Sequence, residues 1–410
     1  MSPTDIFQVK YIQMAIPVFF VCIVLEVIYS WVKHKQFYNL HDSLNDLACG
    51  SLDQILEIFY KAFFFGAYLW IYDHLRLNSL PAEQVWVWAA CFLGADLAYY
   101  WFHRTSHRVW LVWSGHGPHH QSEEYNLTVA LRQGMLERCF SWVFGLPLAL
   151  LGFPPLVYLA CSQFQTIYQF FVHTRAVGKL GPLEWVMNTP SHHRVHHGKN
   201  VEYIDKNYAG VFIVWDRLFG TFEPEVAEPV YGTVKPLRSW NPLWAHGIFF
   251  SEMYQQMRRL PLQQAMQVPF RPPGWHPEQS EPEIPEVQAE TYVKYTTPRP
   301  KSTNIWLLVQ FVVWLLLSTV FLELAPNWPL LPALGAGLAL MLGFTAVGAL
   351  SEAKRWLISL ELGRVALSLL TLALLPLPLV AQIGLGSWAV LAGGLNGRLS
   401  GNIKGLDEQN

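Results

Sequence analysis

The run VWVWAACFLGADLAYYWFHRTSH, residues 85–107, decides the fold of this 410-residue chain. From Val85 to Phe102 it is apolar apart from Asp96, close to the ~20 residues a helix needs to cross a bilayer. It then runs without a break into His103-x-x-x-His107. Residues at i and i+4 share one face of a helix, so both imidazoles project together where a spanning helix leaves the hydrocarbon. Two more clusters follow: His116-x-x-His119-His120 and His192-His193-Arg194-Val195-His196-His197. Ten of the 15 histidines fall between His103 and His197. Neutral imidazole is a common ligand for iron, zinc and copper. Three clusters exceed what one ion needs, so the spacing predicts a two-metal centre. Packed together without metal, so many imidazoles would repel one another and pay desolvation. The bland reading, a satisfied core or interfacial histidine, fits His34, His41, His74, His246 and His276.

Composition agrees with a membrane setting. The chain is 52% hydrophobic and only 14% charged, whereas soluble chains are nearer a quarter charged. Aromatic residues make up 15%, with 18 Trp, as expected at a membrane–water boundary. A formal net charge of −2 argues against a nucleic-acid partner. Five cysteines lie scattered in or beside apolar runs with no C-x-x-C pair, so they read as small buried hydrophobes. The predicted class is an all-α, polytopic integral membrane protein. A histidine-rich helical cap, facing the cytoplasm, would sit over a transmembrane helix bundle.

Candidate spans cover 11–31, 47–72 (interrupted by Asp53, Glu57 and Lys61) and 85–102. Lys33 and Lys35 place the end of the first span in the cytoplasm by the positive-inside rule. Residues 140–171 are apolar but broken at Gly152-Phe153-Pro154-Pro155, predicting two half-helices that enter and leave on one side. His173 closes the second half, with Gln169 one turn earlier. The reading divides the chain into a catalytic domain over 1–265, a Pro/Glu-rich linker over 266–302 and an accessory membrane domain over 303–400. The last contains apolar runs at 305–324, 328–350, 365–380 and 383–395, the final two being short enough for a re-entrant pair.

No His-Glu-x-x-His occurs, which argues against a zinc protease. A zinc site uses three or four ligands, and a bis-histidine haem would not take triplets within one turn. A pair of non-haem irons using dioxygen fits best, and a site at the membrane surface suggests a lipid substrate attacked at an unactivated C–H bond. Asp96 and Glu123 are the candidate acids near the centre, Asp96 as a catalytic group or a partner for a ligand histidine. From another class, a histidine-rich metal transporter would carry ligands along a path through its spans, whereas these gather at one face.

The three clusters resemble the eight-histidine signature of the fatty acid hydroxylase/sterol desaturase superfamily, over roughly 85–225. Within it, Thr189-Pro190-Ser191-His192-His193, Glu124-Tyr125-Asn126-Leu127, Asp205-Lys206-Asn207-Tyr208 and Trp215-Asp216-Arg217-Leu218-Phe219-Gly220 look most like the alkylglycerol monooxygenases. The resemblance implies a membrane di-iron oxygenase with electrons from a partner protein or reduced cofactor. For the alkylglycerol branch it implies hydroxylation of an ether-linked carbon, release of a fatty aldehyde, and tetrahydrobiopterin as reductant. Desaturation of sterols, or hydroxylation of acyl chains or sphingolipids, is the alternative. It implies His103, His107, His116, His119, His120, His193, His196 and His197 as metal ligands. His173 matches a further ligand of many members. Gln169 replaces another histidine of theirs and would bond a metal-bound water. His192 is a ligand or a neighbour of one, being rotated by about 100° from His193. Asn207 and Tyr208 are shared as catalytic or bracing residues.

Overall fold

The computed structural model describes residues 11–279, 284–375 and 377–407. Among them the chain is helical, with two isolated bridges, Met187–Phe212 and Gly198–Tyr231, and no strand. In chain order the helices are α1 Tyr11–Val32, α2 Leu40–Leu75, α3 Val85–Arg108, α4 Trp110–His116, α5 Arg138–Leu151, α6 Pro155–Val172 and α7 Pro190–His196. They continue with α8 Val214–Phe219, α9 Pro242–Arg259, α10 Leu262–Ala265, α11 Lys301–Leu324, α12 Leu330–Ser351, α13 Leu357–Leu374 and α14 Leu379–Asp407. Among the described residues, seven helices (α1, α2, α3 and α11 to α14) are long and apolar enough to cross a membrane. This is a multi-pass membrane protein.

The chain forms two compact units. The first comprises Met1–Asn39, Phe59–Leu237 and Gly247–Lys294, and the second Leu40–Ile58, Arg238–His246 and Tyr295–Asn410. The Pro/Glu-rich stretch therefore counts with the first unit as far as Lys294. Tyr292 donates to Glu123 Oε1 at 2.6 Å and Lys294 pairs with Glu124 at 2.6 Å.

In the first unit α3 packs against α4, α5 and α6, and α1 against α6. Val87, Cys91 and Ala95 of α3, at helical spacing, bury one stripe against Leu148 and Ala149 of α5 and Val157 and Cys161 of α6. The second half of α2 joins this core through Tyr68, whose hydroxyl donates to Phe153 O at 2.9 Å. α5 and α6 form the expected hairpin. Gly152 caps α5 at φ 94°, and a Cβ there would sit 2.0 Å from Asn78 O, so only glycine closes this turn. The hairpin brings His173, just past α6, back to the end of the unit where α3 delivers His103 and His107.

The second unit packs α11, α12, α13 and α14 in sequence, α12 being the most buried. The last two apolar runs differ from their expected bounds. α13 begins at Leu357 and ends at Leu374, and α14 begins only after Pro378. Proline lacks the amide that would continue a helix, so α14 starts just after Pro378 rather than where hydrophobicity recovers. Both helices are long and apolar enough to cross a membrane, over 18 and 23 residues.

Candidate metal centre

Five elements of the first unit present between one and three imidazoles each. His103 and His107 lie one turn apart near the end of α3, and His116 ends α4. Pro118, early in the 3₁₀ turn Gly117–His120, needs no amide partner and leads directly into His119 and His120. His173 follows α6, and α7, started by Thr189-Pro190, carries His193 and His196 with His197 as its C-cap.

Nine of these histidines gather into two sets. His103, His107, His116, His120 and His196 form one, and His119, His173, His193 and His197 the other; within each set the ligand nitrogens lie within 4.8 Å of one another. In α3 and α7 the division follows α-helical geometry. The i,i+4 pairs 103/107, 116/120 and 193/197 stay within one set, while the residue at i+3, His119 or His196, turns to the other. On a helix the i+4 neighbour lies about 40° to one side and the i+3 neighbour about 60° to the other. In α7 this rotation turns His196 away from His193; His116-x-x-His119-His120 divides in the same way across the end of α4 and the 3₁₀ turn that follows it. The sets adjoin, for the His120 and His197 rings stack at 4.3 Å.

Hydrogen bonds fix which ring nitrogen faces inward. Nδ1 of His103 meets Tyr208 O at 2.8 Å, that of His119 meets Arg132 O at 2.7 Å, and that of His173 meets Gln169 O at 2.7 Å. Nδ1 of His196 meets Lys206 O at 2.9 Å, and that of His116 meets the Glu137 carboxylate at 3.1 Å. Carbonyl and carboxylate oxygens only accept, so each Nδ1 carries the proton and each Nε2 of a neutral ring is a lone pair. Those lone pairs point at each other. His103 Nε2 lies 3.0 Å from His116 Nε2, and His173 Nε2 lies 3.2 Å from His119 Nε2. Nε2 of His107, His196 and His197 is buried without a partner.

Protonation offers no escape. Burial pushes His119 down to about 4 and His196 down to about 3. Burial and neighbouring imidazoles push His120, His193 and His197 well below the ordinary value. Two sets of inward, unprotonated, water-excluded nitrogens fit bound metal cations, with outer oxygens orienting the rings as such sites require.

The other residues singled out from sequence play different parts. Asp96, fully buried, accepts from Gln165 Nε2 (2.9 Å), Val211 N (2.8 Å), Phe212 N (3.0 Å) and Trp215 Nε1 (2.9 Å). It ties the 207–213 loop and the start of α8 to α3, and that loop carries the Tyr208 carbonyl that orients His103. Gly210 is required there, since a Cβ would come within 2.8 Å of Asp96 Oδ1. Asn207 adopts φ 54° and donates to His192 O (3.1 Å) and Glu223 O (2.7 Å), so it braces α7. Tyr208 packs its ring 5.3 Å from that of His107. Gln169 contributes its carbonyl to His173. His192 lies outside both sets, its ring 5.4 Å from Phe222, as its rotation on α7 requires.

Two acids escaped the sequence reading. Glu137 orients His116 from 21 residues away, and nothing in local spacing links them. Glu26, 5% exposed inside the apolar α1, accepts from the Tyr38 and Thr174 hydroxyls and from Leu127 N at 2.9 Å. Its burial beside the residue after His173 anchors α1 to the centre. The sequence signal for Glu26 is an acid within an apolar span.

The Fatty acid hydroxylase family matches residues 88–221, the segment that carries every ring of both sets. Alkylglycerol monooxygenase of Homo sapiens is 40% identical over 324 residues, covering 74% of this chain and 69% of that protein. Its counterpart in Xenopus tropicalis is 37% identical over 328 residues, covering 77% and 70%. The ornithine lipid hydroxylase OlsE of Rhizobium tropici is 30% identical over 129 residues, covering 31% and 39%. No solved structure matches. An all-helical membrane fold, two adjoining histidine sets and these relatives lead to one assignment: the chain belongs to the alkylglycerol monooxygenase family of membrane lipid hydroxylases.

Proposed function

We propose that the chain is a di-iron monooxygenase that hydroxylates the ether-linked carbon of an alkylglycerol. The observation that carries the reading is the pair of adjoining imidazole sets with unprotonated Nε2 atoms turned inward. His103, His107, His116, His120 and His196 would hold one iron, and His119, His173, His193 and His197 the other. Sets of five and four nitrogens suit a metal that accepts more ligands than the tetrahedral zinc of structural sites. When bound, such a centre supplies activation of dioxygen for insertion of one oxygen atom into a C–H bond.

The balance requires two electrons and two protons: R–CH2–O–R′ and O2 give R–CH(OH)–O–R′ and water. The hemiacetal then breaks its C–O bond to a fatty aldehyde and a glycerol. Tetrahydrobiopterin, or an electron-donor protein, would supply the electrons.

The chain's own contribution is orientation and exclusion of water. Backbone carbonyls of Arg132, Gln169, Lys206 and Tyr208 and the Glu137 carboxylate hold five rings by Nδ1. Asp96 and Asn207 hold the loop and helix behind them. Lys33 and Lys35 after α1 and Arg104 and Arg108 at the histidine end of α3 support a cytoplasmic position for the centre by the positive-inside rule.

The test is anaerobic loading with Fe(II), then addition of O2, an alkylglycerol and tetrahydrobiopterin, with lipid mass spectrometry. Pterin-dependent release of fatty aldehyde is the expected result. Hydroxylated or desaturated acyl chains with no aldehyde would replace the ether-cleaving reading.

A further inference from the structure

A second buried polar cluster lies in the other unit, inside helices of spanning length. Arg364 of α13, fully buried, donates from Nε to Glu361 Oε2 at 2.7 Å and from Nη2 to Ala389 O at 2.9 Å. Asn396 of α14 donates to Glu361 Oε1 at 2.5 Å and Gln310 Oε1 at 2.8 Å, and accepts from Trp306 Nε1 at 2.9 Å. Every side-chain oxygen of the cluster is thus engaged.

What remains is one-sided. Arg364 Nη1, Gln310 Nε2, Trp314 Nε1 and Trp388 Nε1 are buried with no acceptor. These groups are neighbours: the Arg364 guanidinium lies 4.8 Å over the Trp314 ring, that ring lies 6.1 Å from Trp388, and Gln310 is one turn from Trp314 on α11. A buried donor without an acceptor is costly in a low-dielectric interior, so four together call for an occupant. That occupant must accept hydrogen bonds. Arg364 is already neutralised by Glu361, so the site carries no net charge, and an added anion would leave an unbalanced charge within the membrane. A cation or an amine would meet donors only. The same helix pair, α13 and α14, carries a wide-open apolar groove of about 670 Å³ lined by Leu369, Leu372, Gly386 and Val390.

The geometry points to a site for an uncharged glycerolipid, its ester or ether oxygens accepting from Arg364, Gln310, Trp314 and Trp388 and its chain lying in the groove. The site is separate from the histidine sets and stands whether or not they hold iron.

The test uses the full chain in detergent, stripped of metal with a chelator, and reads retention of dioleoylglycerol, oleate and phosphatidylglycerol by native mass spectrometry. Retention of dioleoylglycerol over the two anionic probes is expected. Trp314→Phe and Trp388→Phe each keep an aromatic ring and remove one donor, so each should weaken retention about fivefold and together about 30-fold. Preference for oleate or phosphatidylglycerol would overturn the assignment. So would no lipid retained (ordered waters only), or undiminished retention in both single variants.

Discussion

His103 Nε2 and His116 Nε2 face each other at 3.0 Å although each ring already commits its Nδ1 to an acceptor, Tyr208 O and the Glu137 carboxylate. Two lone pairs at that distance repel, and a shared cation converts the repulsion into two bonds. The stability of the centre therefore depends on metal. Chelation of purified protein should lower its thermal midpoint, and restoring Fe(II) should recover it with a concentration dependence set by mass action. An unchanged midpoint after complete metal removal would contradict this.

Glu137→Gln keeps the shape and removes the charge behind His116. Metal affinity or activity should fall 10–100-fold, the usual cost of losing a partner behind a ligand histidine, while the fold persists. Metal titration of the variant against the parent chain checks it.

Asp96→Asn should act through the fold. Either amide orientation turns NH2 toward two donors, Val211 N and Gln165 Nε2 or Phe212 N and Trp215 Nε1. Stability should fall by roughly 1–3 kcal/mol. Activity should fall only in proportion to metal retained, with no shift of the pH–rate profile. A displaced profile would make Asp96 a proton carrier.

Acid should destabilise the metal-free protein. His119 at about 4 and His196 at about 3 stay neutral in the folded chain, whereas the unfolded chain takes up protons near 6.5. The unfolded state thus binds more protons between those values, so stability is lost as pH falls from about 6.5 toward 4. Asp216, pushed up to about 6 by burial, works in the opposite sense but is a single group against several imidazoles. Metal-loaded protein should resist acid further, since bound metal competes with protons for Nε2. Unfolding midpoints of both forms across this range are the check.

His192→Gln should leave both ions in place, because His192 points away from either set. Loss of one ion per chain would return it to the ligands.

The clusters and apolar runs were legible because helical spacing and hydrophobicity are local signals. The hairpin at Gly152 was legible for the same reason. The turning of His196 away from His193 follows from the 3.6-residue period of α7, whereas that of His119 depends on the 3₁₀ turn Gly117–His120, which local spacing does not announce. What orients the rings was not legible. Four of the five Nδ1 partners are backbone oxygens, which no residue type announces. Asp96 was visible as a buried acid, but its four donors come from up to 119 residues away, so sequence could not separate anchoring from catalysis. Pro378, rather than the hydropathy trend, marks the start of the last helix.

The most direct measurement is metal content per chain after anaerobic Fe(II) loading and dialysis, for the parent chain and for His103→Ala and His193→Ala separately. Two ions in the parent and about one in each variant, with turnover lost in both, is the expected result. One ion in the parent, or two retained in either variant, would contradict the two-site centre.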